Sequence, residues 1–176
     1  LDPHLKIGAP ILNSQLRVSE RVKSAIGAAG FYAKWYPRQW LRQFGGEGRN
    51  DSHPVLARHM RFAANASHRL ARGLFHAMAS HGPKLEREQI LLGRFVDIGT
   101  EIFAIATSCA RAQSLLRTDE NTKMDLLALA DYFCSAARLR IDRIFYSVRH
   151  NADLRGKKLA RRVLSGELSW LENGIV

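Results

Sequence analysis

LEREQILLGRFVDIGTEIFAIATSCARAQSLL, residues 85–116, is the stretch that decides the fold. It holds no proline over about nine helical turns. Gly82-Pro83 bounds it on one side and the polar run Arg117-Thr118-Asp119-Glu120-Asn121 on the other. At roughly 100° per residue, Leu91, Phe95, Ile98, Ile102, Ile105, Ala106, Cys109 and Leu116 fall on one face. Leu92, Val96, Gly99, Phe103 and Ala110 widen that face. An apolar arc of about half the circumference is more than a surface helix needs, so this helix is expected at the centre of a bundle. The remaining polar strip holds Arg94, Asp97, Glu101, Ser108 and Arg111.

Working outward, His53-Pro54 opens a second long helix expected to reach about Ser80. Leu56, Met60, Ala63, Ser67, Leu70, Ala71, Leu74 and Met78 form its expected core face. Arg58, Arg61, Arg69 and Arg72, with His68 and His76, line up opposite as a basic ridge. After residue 116, Asn121 or Thr122 can cap a helix running roughly from Lys123 to His150. Its expected core side is Leu126, Leu127, Ala130, Phe133, Ala137, Ile141, Ile144, Phe145 and Val148, and Arg138 is spaced to pair with Asp142. Residues 53–150 thus read as a three-helix core. Residues 153–171 read as a basic amphipathic tail, with Leu154, Leu159, Val163, Leu164, Leu168 and Leu171 set among Arg155, Lys157, Lys158, Arg161 and Arg162.

The lead-in, residues 10–45, begins with a helix expected from Asn13 or Ser14 to about Ala33, its apolar side being Leu16, Val18, Val22, Ala25, Ile26 and Ala29. Aromatics and cations then interleave without an acid across residues 31–44, including Phe31, Lys34, Trp35, Tyr36, Arg38, Trp40 and Arg42. Pro37 is expected to open a separate short helical piece there. Residues 45–52 are a loop by composition. No strand-like alternation and no internal repeat interrupts this pattern. The expected fold is all-α, an up-down helical bundle of about four long helices plus shorter terminal amphipathic helices, in a single domain over residues 1–176.

A chain of 176 residues can bury a sizeable core. Its formal net charge of +11 favours anionic partners such as nucleic acid, lipid headgroups or coenzyme A. Cys109 and Cys134 both lie in apolar helical pattern and read as buried reduced thiols. No apolar run is long enough to span a bilayer, and no signal-peptide pattern opens the chain. The chain begins at Leu1 without an initiator methionine, which suggests a piece of something longer or a processed product. The expected location is the bacterial cytoplasm, the mitochondrial matrix or the inner face of a membrane, and not the exterior.

Candidate chemistry is sparse. The histidines lack the one-turn spacings that metal-binding helices use, so no metal is expected; they read as solvated or lightly buried. Asp97 and Glu101, one turn apart, could handle protons, but the plainer reading pairs them with Arg94 or with an arginine of a neighbouring helix. Cys109 has no activating cation beside it and reads as core. Gly45-Gly46-Glu47-Gly48 could let backbone approach a phosphate, though a plain inter-helix loop is the simpler account. The patch at residues 31–44 suits an anionic membrane surface, where aromatic rings sit at the headgroups and each cation adds roughly 1 kcal/mol. The plainer reading makes its tryptophans packing anchors against the bundle or against another domain. Single-stranded nucleic acid is disfavoured, since base-stacking aromatics belong on a sheet or barrel face.

Gln89, Leu91, Leu92, Arg94, Asp97, Phe103 and Ala104 follow a Q-x-L-L-x-R-x-A-D-x-x-x-x-x-Y-A-M pattern, and Arg111, Ala112, Ser114 and Leu115 match its sequel. His53-Pro54-x-Leu56, Phe133-Cys134 and Ala136-Ala137-Arg138 agree with the flanks of the same pattern. Over roughly residues 10 to 170 the chain resembles the C-terminal extension of very-long-chain acyl-CoA dehydrogenases. The resemblance implies an upstream catalytic module in the same polypeptide that binds FAD. There a glutamate takes the α-proton of an acyl-CoA while a hydride leaves the β-carbon for flavin. This chain has no segment resembling the one that carries that base. Gln43 to Gly48 superficially resembles a flavin-contacting loop, but what should follow it is missing. No catalytic residue, no flavin residue and no cofactor is therefore carried onto this chain, with FAD expected only in the parent enzyme. The resemblance further implies a homodimer, and by position it places membrane association at Ile7 to Phe44. The expected function is a non-catalytic C-terminal domain of a long-chain acyl-CoA dehydrogenase of fatty acid β-oxidation. It would be inactive alone, and would serve packing, dimer stabilisation and membrane-surface association. The alternative is a stand-alone nucleic-acid-binding helical protein using the basic ridge and tail.

Overall fold

The computed structural model describes residues 18–38, 53–118 and 123–174. Among them are five α-helices and no strand: α1 Val18–Arg38, α2 Pro54–His81, α3 Gln89–Leu115, α4 Lys123–Arg149 and α5 Asp153–Leu164. Two 3-10 turns, Gly82–Arg87 and Ser169–Glu172, follow α2 and α5.

Local chemistry sets the ends of α2. Pro54 occupies the first turn, where a backbone N–H would have no helical acceptor. The Val55 N–H donates to His53 Nδ1 at 3.4 Å, and the His53 N–H donates to Gln113 Oε1 at 3.1 Å, tying the start of α2 to the end of α3. At the other end Gly82 has φ +52, in the left-handed region, and its N–H donates to the Met78 carbonyl. The chain then spends Gly82 to Arg87 in a 3-10 turn, so α3 starts at Gln89 and not at Leu85.

The contacts fix the directions of the helices. Leu56 with Cys109, Leu70 with Gly99 and Gly73 with Phe95 rise on α2 as they fall on α3, so these two run antiparallel. Cys109 with Cys134 and Glu101 with Arg140 do the same for α3 and α4. By contrast α2 and α4 climb together. Arg58 meets Asp131 at 2.8 Å and Arg69 meets Asp142 at 3.0 Å, each partner advanced by the same three turns. The core is therefore an up-down-up bundle of α2, α3 and α4.

At its centre Ile98, Ile105, Cys134, Ala137 and Ile141 are wholly buried, with Leu56, Phe95, Cys109, Ala112 and Phe145 around them. Each large side chain so buried contributes about 1.5–3 kcal/mol. Ala63, Ala66 and Ala77 present small side chains from α2, and Gly73 lets it approach the Phe95 ring closely.

The apolar faces are narrower than their sequence patterns. Val96 and Phe103 are 66% and 69% exposed, on the outer side of α3. Met60 and Met78 also lie outside, while His59 and Ala66 turn inward on α2. Phe133 is a rim residue, and Cys134 takes the inner place on α4. Helices α2 and α4 flank α3, and α5 is tied to it at Arg94 and Glu88, so the side of α3 that carries Val96 and Phe103 stays exposed among the described residues. Arg138 does not pair with Asp142; it lies 4.6 Å over the Phe62 ring, and Asp142 belongs to Arg69. On α1, Ala28 is buried and Ile26 exposed. This helix runs on to Arg38 with Pro37 inside its last turn, so no new helical piece begins at Pro37.

Candidate functional site

The aromatic-basic patch lies on α1, and its rings turn toward α2. Tyr32, Trp35 and Tyr36 surround Phe75, with ring centroids 5.0, 6.0 and 5.1 Å away. The spacing i, i+3, i+4 places all three on one helix face, which is why the helix must continue past Ala33. Tyr36 Oη and His76 Nε2 are hydrogen-bonded at 2.8 Å. Phe31 packs edge-on against Tyr32. Trp35 and Tyr36 are half-buried in this cluster and act as packing anchors, while Lys34 is exposed. Arg38 ends the helix. Trp40, Arg42 and the Gly45–Gly48 loop lie outside the described residues.

The basic ridge divides. Arg58 and Arg69 face α4, where they pair with Asp131 and Asp142, and the Arg69 guanidinium also sits 3.9 Å from the Phe145 ring centroid. Arg61 is exposed and Arg72 half-buried. Two of the four arginines thus pair with acids of α4.

Sequence patterns missed the residue beside Arg58. His59 is 0% exposed and its Nε2–H donates to Asp131 Oδ1 at 2.8 Å. The carboxylate can only accept, so Nε2 carries the hydrogen; the buried Nδ1 has no hydrogen-bond partner among the described residues. The His59 hydrogen bond, followed by Arg58, holds the Asp131 carboxyl below its usual range against the opposing pull of burial. The available signal was position: His59 lies between Leu56 and Ala63 on the core face.

The polar strip of α3 connects helices. Arg140 of α4 donates through Nη2 to Glu101 Oε2 at 2.9 Å and through Nε to Oε1, which raises the guanidinium pKa. Arg94 donates through Nη2 to Asp153 Oδ1 at 2.8 Å and through Nη1 to Oδ2. That bidentate pair depresses the Asp153 pKa and raises that of Arg94. Glu101 and Arg94 therefore find partners on neighbouring helices, and Asp97 is exposed. Arg111 borders an open groove of about 450 Å³ between α3 and α4, lined also by Thr107, Ser108, Leu126, Leu129 and Phe133.

Cys109 and Cys134 face each other at 3.8 Å between sulfurs, both buried and unbridged. Burial, reinforced by Cys134, pushes the Cys109 thiol up to about 12, and burial raises Cys134 as well. Neither is a nucleophile at neutral pH. Among the described residues no group of three or more His, Cys, Asp or Glu side chains is placed to hold a metal, and no helix is long and apolar enough to cross a membrane.

Helix α5 is fastened to the bundle by charge. Asp153 takes Arg94, and Lys157 donates to Glu88 at the start of α3, which depresses the Glu88 pKa. Beyond these pairs, Leu159, Val163 and Leu164 are exposed, as are Trp170 and Leu171 in the turn that follows.

The family model described as "ACAD9/ACADV, C-terminal domain" matches residues 54–167, which span α2 to just beyond α5. Proteins called "Probable acyl-CoA dehydrogenase FadE10", from Mycobacterium bovis and Mycobacterium tuberculosis, are 37% identical over 185 aligned residues. The alignment takes in 100% of this chain but only 27% of those relatives' length. No solved structure matches. Neither match lends support to the nucleic-acid alternative. The chain belongs to the acyl-CoA dehydrogenase family, as an ACAD9/ACADV-type C-terminal domain.

Proposed function

We propose that this chain is the non-catalytic C-terminal helical domain of an FAD-dependent, long-chain acyl-CoA dehydrogenase of fatty acid β-oxidation. It packs against an upstream catalytic module of the same polypeptide, favours a homodimer, and faces an anionic membrane from the cytoplasmic or matrix side. The observation that carries this is the match over residues 54–167 to a C-terminal domain, together with relatives of which the chain spans 27%. Several of the described acids add support, since they hold helices together: Glu101 with Arg140, Asp153 with Arg94, Asp131 with His59 and Arg58. The uncovered outer side of α3, with Val96 and Phe103, is a suitable place for the catalytic module to pack.

The test is to express this chain alone, the preceding part of its polypeptide alone, and the two together. Acyl-CoA oxidation is followed with an artificial electron acceptor, and mass by sedimentation. The chain alone is expected to be inactive and to bind the preceding part. Oxidation of acyl-CoA by this chain alone, or failure of the two parts to associate, would overturn the proposal.

A further inference from the structure

We infer that α5 and the turn after it form an in-plane anchor for an anionic phospholipid surface. The inference rests on the membrane-facing part of the proposed function and locates it away from the patch at residues 31–44. Projected at 100° per residue, Leu159, Val163 and Leu164 make one apolar strip, with Gly156 and Ala160 filling between them. Arg155 and Arg162 border it on one side, Lys157 and Arg161 on the other. Cations on both edges let long side chains rise to headgroups while the strip sinks toward the acyl chains. In the turn beyond the helix Trp170 and Leu171 are exposed as well, tryptophan being a residue that settles at the headgroup level.

Charge decides the occupant. Residues 153–164 carry five cations, Arg155, Lys157, Lys158, Arg161 and Arg162, against one acid, Asp153. Among the described residues, Arg155, Lys158 and Arg161 have no acidic partner within ion-pair distance. A protein partner would have to accept lysine and arginine along both edges of a narrow strip, and interface cores are depleted in lysine. Lys157 is held by Glu88 and Arg162 by Glu167, and a bilayer with anionic headgroups accepts the other three. Trp35 and Tyr36, by contrast, are committed to the cluster on Phe75.

The test is cosedimentation of the whole chain with vesicles of phosphatidylcholine alone, and of phosphatidylcholine mixed with phosphatidylglycerol. Binding is expected only to the mixed vesicles. Leu159→Gln with Val163→Gln and Leu164→Gln should weaken it by roughly tenfold or more. Arg155→Gln, Lys158→Gln and Arg161→Gln should each weaken it about fivefold, and Trp170→Ala should weaken it too. Lys34→Gln should leave it unchanged. All these side chains are exposed, so circular dichroism should show the same helix content and melting point in each variant. If the unaltered chain binds anionic vesicles but the α5 variants bind equally well, α5 is not the anchor and the membrane reading stands. If the unaltered chain binds neither vesicle, or both equally, both readings fall. If the glutamine variants dissociate a dimer without any change in vesicle binding, the strip seats a second copy and the inference is overturned.

Discussion

His59 and Asp131 join the second turn of α2 to the third turn of α4 through a hydrogen bond of 2.8 Å, with the imidazole wholly out of solvent. Arg58 reaches the same carboxylate oxygen from the solvent side, also at 2.8 Å. One acid thus satisfies a buried donor and an exposed cation. Asp131→Ala leaves His59 with both ring nitrogens unpartnered, and an orphaned buried polar group costs about 1–3 kcal/mol. Asp142→Ala removes only the exposed pair with Arg69, worth about 1 kcal/mol or less. Urea unfolding of the two variants should show that order. Equal losses would mean that the buried imidazole contributes nothing.

Glycine placement predicts a second contrast. A Cβ on Gly73 would stand 3.0 Å from Phe95 Cε1, closer than most carbon contacts, so the buried Phe95 ring would have to give way in a packed core. Gly73→Ala should cost about 1–3 kcal/mol through overpacking, and Phe95→Leu in the same chain should recover part of that. A Cβ on Gly99 meets Leu70 at 3.8 Å, an ordinary contact. Gly99→Ala should be neutral or stabilise by about 0.5–1 kcal/mol, because alanine has less backbone freedom to lose in a helix. Thermal midpoints check both.

Acid sensitivity follows from Glu88, Asp131 and Asp153, whose carboxyls lie below the ordinary values of 4.5 and 3.8. In the folded state these groups hold their protons less tightly than in the unfolded state. Their contribution to stability is complete above the ordinary values and is lost as pH falls through the depressed folded ones. The melting temperature should therefore hold down to about pH 5 and fall below about pH 4. Asp131→Asn should flatten that fall; a fall of unchanged slope would exclude Asp131 as a source of it.

The two sulfurs predict a chemical silence. With Cys109 pushed up to about 12 and both side chains buried, an aromatic disulfide reagent should find no thiol in the native chain at neutral pH. It should find two in denaturant. Reaction in the native state faster than global unfolding would show that α3 and α4 open locally.

Salt should release α5 before it loosens the bundle. The helix is held by Arg94–Asp153 and Lys157–Glu88, and partly exposed pairs weaken as ionic strength rises. Trypsin cleavage among Arg155, Lys158 and Arg161 should accelerate in high salt, and equally in Arg94→Ala at low salt. The unfolding transition of α2–α4 should move little.

Much of the core was legible because periodicity reports it directly. Ile98, Ile105, Cys109, Ala137 and Ile141 stand where the wheel places them, and the flanking turns fall near Gly82-Pro83 and residue 117. What periodicity cannot report is how many neighbours a helix has. Val96 and Phe103 on α3 and Met60 on α2 fit apolar faces, yet the bundle leaves them outside because neighbouring helices cover only part of each helix. Polar partners were legible in kind but not in identity. Glu101 takes an arginine of the next helix, as spacing allows, but Arg94 takes Asp153 from a segment far along the chain. His59 was hidden because imidazole counts as polar in any pattern, and only the arrival of Asp131 makes its burial tolerable. The tryptophan patch had two readings, and for Trp35 the position of Phe75, on another helix, favours the packing one.

The matched pairs Arg58–Asp131 and Arg69–Asp142 have a bearing on what changes in length the domain can absorb. They act as two notches of one key, cut the same distance apart on both helices. Deleting a residue between the notches on α2 alone rotates one arginine by about 100° and shortens its reach by about 1.5 Å, so the key turns in neither lock. Lengthening the turn between α3 and α4 leaves both notches aligned. Variation in length among such domains should therefore gather in the turns, with the interval from 58 to 69 keeping step with that from 131 to 142.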